Sequence, residues 1–397
     1  MSLLHCNEQP RVLFVDHSGQ MGGGQNSLEA LLRRLSVKAH VFLLSPGSLV
    51  EKLQQKHVSV TVMPNTDQLL SLGSETSLLS RLWAVRRLRG IVGKLTAEAR
   101  RFDVVYVNSK KALLFGALAA RRARRPLIWH QRDAMLTPRT LPMRARLSES
   151  LLVHLLNRYA SRVISVSQAS ADTLIAAGGR PDLPIVIHNG LDPSRYAQPV
   201  DPAAVRRSAG LPLDVALIGC FGRLTRWKGQ AVLIDALAHL PEAHVALVGG
   251  AFFGESDYEA DLRSRVDRLG LTGRVHFLGH RDDVPALMRA VDVVAHPSTE
   301  FDPCPRVVLE ALHSEAPLVA TAVGGVPELV EDGVSGLLVP PNDAPALASA
   351  LERVLRDRDL AARLAAAGRE RALCHFTLDR VVREVERVIG ETIGAAN

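Results

Sequence analysis

Two carboxylates, two cations and one histidine carry the chemistry this sequence could do. The carboxylates lie in the stretch 291–312, VDVVAHPSTEFDPCPRVVLEAL. Val291 to Ala295 is Val-rich and reads as a strand of a parallel sheet covered on both faces. A turn loaded with Pro and acids follows, then a helix from about Arg306 to Leu312. Such a turn lies at the C-terminal edge of the sheet, where doubly wound folds bind ligands. The helix behind it offers free N–H groups to an anion. Asp302 and Glu310, eight positions apart, put one carboxylate in the loop and one in the first helical turns. N–H groups for phosphate and carboxylates for hydroxyls suit a phosphorylated, polyhydroxylated ligand. Each acid alone also fits a plainer role, as a solvated loop residue or as a helix-start acid facing the dipole.

The cations are Arg223 and Lys228, five positions apart in CFGRLTRWKG. This Gly-bearing loop falls between a strand, Asp214 to Gly219, and a helix, Gln230 to His239. Arg binds a diphosphate bidentately, Lys acts as a point charge, and the helix start adds its dipole. An ordinary basic loop is the alternative. His130 ends the strand Leu127 to His130 and is followed by Gln131, Arg132 and Asp133. At a strand end it can donate to an anionic oxygen or a sugar hydroxyl, although a lone His is often structural. Near the N-terminus the strand Arg11 to Asp16 leads into His17 and the run Gly22, Gly23, Gly24, with a helix from Asn26 to Leu35. Adjacent glycines let backbone approach a ligand closely, or simply loosen a loop; their spacing is not the dinucleotide fingerprint.

These pieces need two alternating strand–helix arrays to hold them. Further strands are expected at Ala39 to Leu44, Val58 to Met63, Asp103 to Asn108, Arg162 to Ser167 and Pro184 to His188. A second series runs through His244 to Gly249, Arg274 to Leu278 and Leu318 to Thr321. Alternation of this kind implies parallel sheets with right-handed crossovers. Asn189-Gly190-Leu191-Asp192-Pro193 is a turn, and the Pro-rich stretch to Pro202 fits a domain boundary. The domains are therefore expected at 1–192 and 193–375, with a last helix in 376–397.

With 397 residues, 47% hydrophobic and 22% charged, the chain is long enough for two globular domains. The four cysteines, Cys6, Cys220, Cys304 and Cys374, are scattered. Their spacing suggests neither a disulfide framework nor a zinc site, and suits a reducing, cytoplasmic compartment. MSLLHCNEQP lacks the apolar core of a signal peptide. Ala112 to Ala120, the longest apolar run, is far shorter than the ~20 residues of a membrane span. The net charge is +7, with 17 Lys or Arg between Leu78 and Arg146 against Glu98, Asp103 and Asp133. Leu78 to Leu95 alternates apolar and basic residues at helical spacing. That helix either rests on the anionic inner face of a membrane or buries its apolar side, Trp83 included, in its own domain. Aromatic content of 4% offers no stacking platform for nucleic acid.

Pro297-Ser298, a short gap, an acid at Asp302, seven residues, then Glu310-Ala311 closely resembles the signature of the retaining glycosyltransferases of family 4, which have the GT-B fold. Gly222-Arg223-Leu224 with Lys228-Gly229 is similar to a second family stretch, and Asn189-Gly190-Leu191-Asp192 to its hinge. The chain departs from the pattern in carrying Asp302 for the usual Glu, with Glu300 two residues earlier, and Cys304-Pro305 where Phe-Gly is common. Pro305 has no N–H to give. The resemblance covers about Val205 to Cys374 well. It covers the first domain at the glycines, His130 and the hinge. It implies two Rossmann-like, doubly wound α/β domains facing a central cleft, with a C-terminal helix crossing back to the first.

The same resemblance implies a retaining, metal-independent transfer of a hexose-type sugar from a nucleotide diphosphate sugar to an acceptor hydroxyl, in glycan, polysaccharide or glycolipid synthesis, with no cofactor. UDP is the foremost donor nucleotide, with GDP or ADP behind it; the acceptor is a sugar or lipid-linked. Catalytic roles fall to His130, Arg223, Lys228, Asp302 and Glu310. Donor contacts fall to Gly22, Gly23, Gly24, Gly222, Gly279, His280, Glu300, Pro303, Cys304, Arg306 and Val307. The competing readings are a nucleotide-sugar epimerase on the same fold and a non-catalytic nucleotide-sugar-binding protein.

Overall fold

Short runs of Val, Ile, Leu and Ala too apolar to face water set the two cores. The structure is a computed structural model that describes residues 9–63, 78–135, 143–251 and 256–396, without the side chains of 78–85, 143–145 and 256. It divides into two units, residues 1–188 with 381–397, and residues 189–380. Each is built on a parallel sheet.

In the first unit the strands are β1 (Arg11–Asp16), β2 (Lys38–Leu43), β3 (Ser59–Val62), β4 (Val104–Val107), β5 (Leu127–Gln131), β6 (Ala160–Ser165) and β7 (Pro184–Val186). Their spatial order is β3-β2-β1-β4-β5-β6-β7. Val12 to Val15, Val104 to Val107 and Leu127 to Trp129 are all fully buried, as expected of strands covered on both faces. The order reverses between β1 and β4, which makes their C-terminal ends the switch point of this sheet.

The second unit holds β8 (Ala216–Phe221), β9 (Ala243–Val248), β10 (Val275–Gly279), β11 (Val293–His296), β12 (Leu318–Thr321) and β13 (Leu337–Val339), in the order β10-β9-β8-β11-β12-β13. Here the switch lies between β8 and β11. The loops that leave these two strands are the ones that carry Arg223 with Lys228 and Asp302 with Glu310.

The strands read from sequence fall within about two residues of these positions. Two differences have physical causes. The helix expected at Asn26 begins at Gly23, with Gly22 as its N-cap in an extended conformation, φ −153°. The glycines therefore open the helix rather than form a loose turn. The unit boundary falls ahead of Asn189, not after Asp192. Leu191 N–H donates to Phe376 O at 2.9 Å and Leu378 N–H donates to Leu191 O at 2.8 Å, which ties this segment to the second unit. The last helix, Leu378–Gly394, presents Val381, Val382, Val385, Val388 and Ile389 at helical spacing, and all are buried.

The basic helix spans Leu78–Ala99. From Leu88 onward its apolar side, Ile91, Val92, Leu95 and Ala99, belongs to the core of the first unit, while Arg86, Arg89 and Lys94 are exposed. Trp83 and its neighbours lie outside the described side chains. No helix among the described residues is long and apolar enough to cross a membrane.

One glycine fixes how the two switch-point loops of the second unit meet. Gly229 has φ +71°, and a Cβ there would lie 1.9 Å from Pro297 O. Both the left-handed backbone and the close approach exclude a side chain. Gly229→Ala is expected to destabilise the protein by roughly 2 kcal/mol or more in urea unfolding. Gly273→Ala, where a Cβ meets nothing within 4 Å, should stay within about 0.5 kcal/mol of the parent.

Candidate active site

The loop after β8 ends in a short 3-10 turn, Arg226–Lys228, capped by Gly229 and followed by the helix Gln230–Leu237. The loop after β11 runs from Pro297 to Pro305, and the helix Arg306–His313 follows. A buried ion pair stitches the loops together. Lys228 Nζ lies 2.5 Å from Asp302 Oδ2, with side-chain exposures of 14% and 7%. Thr299 N–H adds a bond to Trp227 O at 2.8 Å. The Lys228 ammonium also sits 4.2 Å from the centre of the Trp227 ring, where the ring face attracts a cation.

Three donors converge on Asp302 Oδ2. Besides Lys228, His296 Nε2 lies at 3.1 Å and Ser298 Oγ at 3.3 Å. Thr321 Oγ in turn donates to Ser298 O at 2.6 Å. Burial alone would raise the Asp302 pKa. The His296 hydrogen bond and the Lys228 charge outweigh burial and hold the carboxyl well below its usual 3.8. Burial lowers the pKa of His296, so a neutral ring donates to an ionised carboxylate. Among the described residues nothing donates to Asp302 Oδ1, so one carboxylate oxygen remains for a ligand hydroxyl. The carboxylate expected to meet a hydroxyl is therefore one that the protein already holds by its other oxygen. His296 and Ser298 were not foreseen as partners.

Arg223 stands in contrast to Lys228. It is exposed, and among the described residues its guanidinium has no hydrogen bond or ion pair. Only its carbonyl is engaged, by Gln230 Nε2 at 2.8 Å. It is the uncompensated positive charge of this loop. Across the switch point the first N–H groups of the helix Arg306–His313 lack acceptors among the described residues, as helix geometry dictates. Together they form a place for anionic oxygens.

The other expected donor residues are distributed around this edge. Gly222 has φ +133° and Gly279 φ +64°, both left-handed regions. Gly249 N–H donates to Gly279 O at 2.8 Å, which brings the ends of β9 and β10 together. His280 is exposed, with Asp282 3.5 Å away. Glu300 is exposed. Pro303 and Val307 are half-buried. Cys304 is buried and its thiol is pushed up to about 12 by burial, which makes it no nucleophile at neutral pH. Its carbonyl accepts Asn189 Nδ2 at 3.1 Å. Burial raises the pKa of Glu310, while the Arg306 and Arg195 charges and the Tyr196 hydroxyl act against that rise. Arg306 Nη2 is 3.4 Å from Glu310 Oε1.

In the first unit, His130 is buried at the end of β5. Its Nδ1 faces the Tyr106 hydroxyl at 2.5 Å and Arg132 Nη2 at 3.2 Å. Guanidinium groups only donate, so Nδ1 is an acceptor and the proton sits on Nε2. Among the described residues that Nε2 is buried without a partner, a donor awaiting an acceptor. Burial, with the Arg132 charge, holds the ring pKa well below its usual 6.5, and the ring is neutral. Gly22, Gly23 and Gly24 open the first helix at the end of β1. A Cβ on Gly24 would press on Arg132 Cδ at 3.2 Å.

Two family profiles divide the chain between them. One, described as Glycosyl transferases group 1, matches residues 203–371; the other, Glycosyl transferase 4-like domain, matches residues 22–190. Anabaena HepE, crystallised with UDP, is 36% identical, with 96% of this chain and 100% of that chain aligned and a TM-score of 0.84. This chain belongs to the family 4-type glycosyltransferases of the GT-B fold. HepE with UDP-glucose superposes at a TM-score of 0.82 and 37% identity, over 97% of this chain and 100% of that chain. Sucrose-phosphate synthase of Thermosynechococcus elongatus shares the fold at 22% identity and a TM-score of 0.76, over 98% and 100% of the two chains.

Curated relatives include a lipopolysaccharide core biosynthesis mannosyltransferase of Rhizobium meliloti. It is 30% identical over 55% of this chain and 65% of its own length. A D-inositol 3-phosphate glycosyltransferase of Salinispora arenicola is 35% identical over 59% of this chain and 56% of its own. The chain thus spans less than two thirds of the curated relatives it matches. Arg223, Lys228, Asp302 and Glu310 lie inside one matched range and His130 inside the other.

The Lys228–Asp302 pair makes stability depend on acid. Because the folded pKa of Asp302 is depressed, its contribution is complete above the usual carboxyl value of 3.8 and is lost as pH falls toward the folded value. Asp302→Asn leaves Lys228 buried without a counter-charge and should cost about 3 kcal/mol at pH 7. Urea unfolding of both proteins should show this deficit unchanged down to about pH 4 and shrinking below it.

Proposed function

We propose that this chain is a retaining, metal-independent glycosyltransferase that moves a hexose-type sugar from a UDP-sugar to an acceptor hydroxyl in glycan or glycolipid synthesis. The observation that carries the reading is the unpaired Arg223 beside the clamped Lys228, at the start of a helix and at the switch point of the second sheet. A departing diphosphate needs preorganised positive charge. Arg223 supplies a free guanidinium fork, and Lys228 supplies a fixed ammonium shared with Asp302. Glu310 is assigned to the ribose, and Asp302 Oδ1 to a sugar hydroxyl. His130 contributes a neutral N–H donor. The acceptor proton passes to a diphosphate oxygen on the same face of the sugar as the C1–O bond to phosphate breaks and the C1–O bond to the acceptor forms, so no covalent enzyme intermediate arises. UDP is favoured over GDP and ADP because the HepE structures that resemble this chain hold UDP and UDP-glucose. The named relatives support glycan or lipopolysaccharide synthesis.

Thermal shift and diphosphate release across UDP-, GDP- and ADP-sugars test the reading. A selective rise in melting temperature with one UDP-sugar, and slow release of UDP, is the expected result; no shift with any of them would overturn it. Arg223→Ala should weaken donor binding by roughly 10- to 100-fold, the loss of a charged hydrogen bond. Its unligated melting temperature should stay unchanged, since that side chain is exposed and unpaired.

Peripheral contact with an anionic membrane belongs to the same reading. Its support is the basic stretch from Leu78 to Arg146 and the helix Met143–Tyr159, where Leu147 and Leu151 are exposed, 67% and 47%, beside exposed Arg146 and Arg158. Sedimentation with vesicles containing anionic phosphatidylserine should retain the protein at low salt and release it near 0.5 M, beyond the Debye screening limit of such contacts. Failure to sediment at low salt would remove the membrane from the proposal.

A further inference from the structure

Two irregular pieces of backbone meet at one pocket of the first unit, at the N-terminal edge of its sheet. The pocket has a volume of about 300 Å³, and its lining includes Arg124, Pro126, Ser161, Arg162, Glu391 and Thr392. Arg124 caps the helix Lys110–Ala123 with φ +54° and ψ +46°, a left-handed backbone that helix ends usually give to glycine. The N–H groups of Arg124 and Arg125 close the helix on the carbonyls of Arg121 and Ala120, at 3.2 and 2.9 Å. Arg121 and Arg122 already face the helix dipole from its last turn. The cap therefore uses the backbone of Arg124 and not its guanidinium, which among the described residues has no hydrogen bond or ion pair.

The second irregularity is in β6. Leu127 pairs with Ala160 and Ile128 with Arg162, which leaves Ser161 as a bulge. Successive strand residues otherwise face opposite sides of a sheet; the bulge lets Ser161 and Arg162 line the same pocket. Arg162 Nη1 donates to Ser161 O at 3.0 Å, and among the described residues the rest of its fork makes no hydrogen bond. Asp182, which feels the Arg162 charge, is itself paired with Arg180 at 2.6 Å.

The last helix completes the pocket. Thr392 is buried, and its hydroxyl bonds to no group among the described residues. Thr96, in another helix, returns its hydroxyl to Val92 O at 2.6 Å, as helical threonines commonly do. Glu391 is the one acid of the lining, and Arg387 holds its Oε1 at 2.8 Å. The unengaged charge is therefore positive, on two guanidinium forks that can only donate. The groups of the proposed glycosyl transfer gather at the C-terminal ends of strands. This pocket is at the opposite edge and does not belong to that site.

We infer that this pocket binds the phosphate monoester group of a small molecule, with Arg124 and Arg162 clasping its oxygens and the Thr392 hydroxyl turning to donate to one of them. Two forks and a hydroxyl fit a group with three terminal oxygens and close to two negative charges better than a carboxylate with two oxygens and one charge. Nothing in this assignment rests on the glycosyl transfer.

Calorimetric titration of the full chain in phosphate-free buffer tests it, with glycerol 3-phosphate and inorganic phosphate as probes. Saturable binding of both is expected, and it should persist in Arg223→Ala, which removes the exposed cation of the second unit's loop. Arg124→Gly removes the guanidinium and relaxes the left-handed backbone. Its melting temperature without ligand should be no lower than the parent's, while its affinity for glycerol 3-phosphate falls about tenfold or more. Sedimentation with phosphatidylcholine vesicles carrying phosphatidic acid separates the two sources of such a group. Retention that Arg124→Gly abolishes assigns the phosphate to a lipid headgroup; equal sedimentation of parent and variant assigns it to a free small molecule. Three results would each overturn the inference: no saturable binding of glycerol 3-phosphate at millimolar concentration, equal affinity in Arg124→Gly and the parent, or binding lost in Arg223→Ala alone.

Discussion

The ion pair between Lys228 and Asp302 is the constraint on which the second unit's site depends. Removing two charges from water costs several kcal/mol, and Coulomb attraction alone rarely returns it with surplus. The pair is tolerable here because the carboxylate oxygen is satisfied three times over, by Lys228, His296 and Ser298. Its geometry also requires backbone with no side chain in the way. Gly229 lets the loop after β8 lie on Pro297, and Gly324, at φ +54°, lets the chain after β12 lie on the Asp302 backbone, where a Cβ would come within 2.2 Å of the carbonyl oxygen. The Gly325 N–H then donates to that same carbonyl at 2.9 Å. Position of charge is thus bought with glycine, and the cost in chain entropy falls at the loop joints rather than in the sheet.

This arrangement gives a physical account of Asp at position 302, where the family resemblance leads one to expect Glu. A carboxylate one methylene shorter reaches less far into solvent. Here it reaches Lys228 directly, while the neutral ring of His296 fixes its orientation from the strand end. The division of labour follows from charge balance. Lys228 is largely neutralised by its partner, so the loop's net attraction for an anion falls on Arg223, which the protein leaves unpaired and exposed. Pro305 removes one N–H from the facing helix, yet the amides of Arg306 and Val307 still point from its first turn. Positive potential is stored in a side chain and in two helix ends.

Much of this was legible in the sequence. Apolar runs with polar punctuation place the strands closely, because buried parallel strands leave little freedom in composition. The cation loop and the acid loop were visible for the same reason, since both follow such strands. What was not visible depended on contacts between segments far apart in the chain. His296 precedes Pro297-Ser298 as an unremarkable strand residue until Asp302 folds back onto it. Leu191 reads as part of a turn, and only its hydrogen bonds with Phe376 and Leu378 assign it to the second unit. The glycines 22–24 misled for another reason. Their dihedrals are ones other residues adopt, and at a helix start the first N–H groups are unpaired in any sequence, so glycine costs little there. Their small size matters instead at Gly24, against the Arg132 side chain.

The first unit solves a different problem with the same topology. Its switch point gathers Asp16, Asn108, Arg132, His130 and Tyr106 into one hydrogen-bonded chain across β1, β4 and β5. Asn108 accepts from Arg132 Nε at 2.8 Å and donates to Asp16 at 2.6 Å. Such a network is costly if any member is unsatisfied, which makes its open position informative. At one end Asp16 takes His17 Nδ1 at 2.9 Å; at the other a tyrosine hydroxyl and a guanidinium hold His130 with its N–H outward. Exposed charge at the edge of one sheet and a buried hydrogen-bonded network at the edge of the other are two outcomes of the same topology.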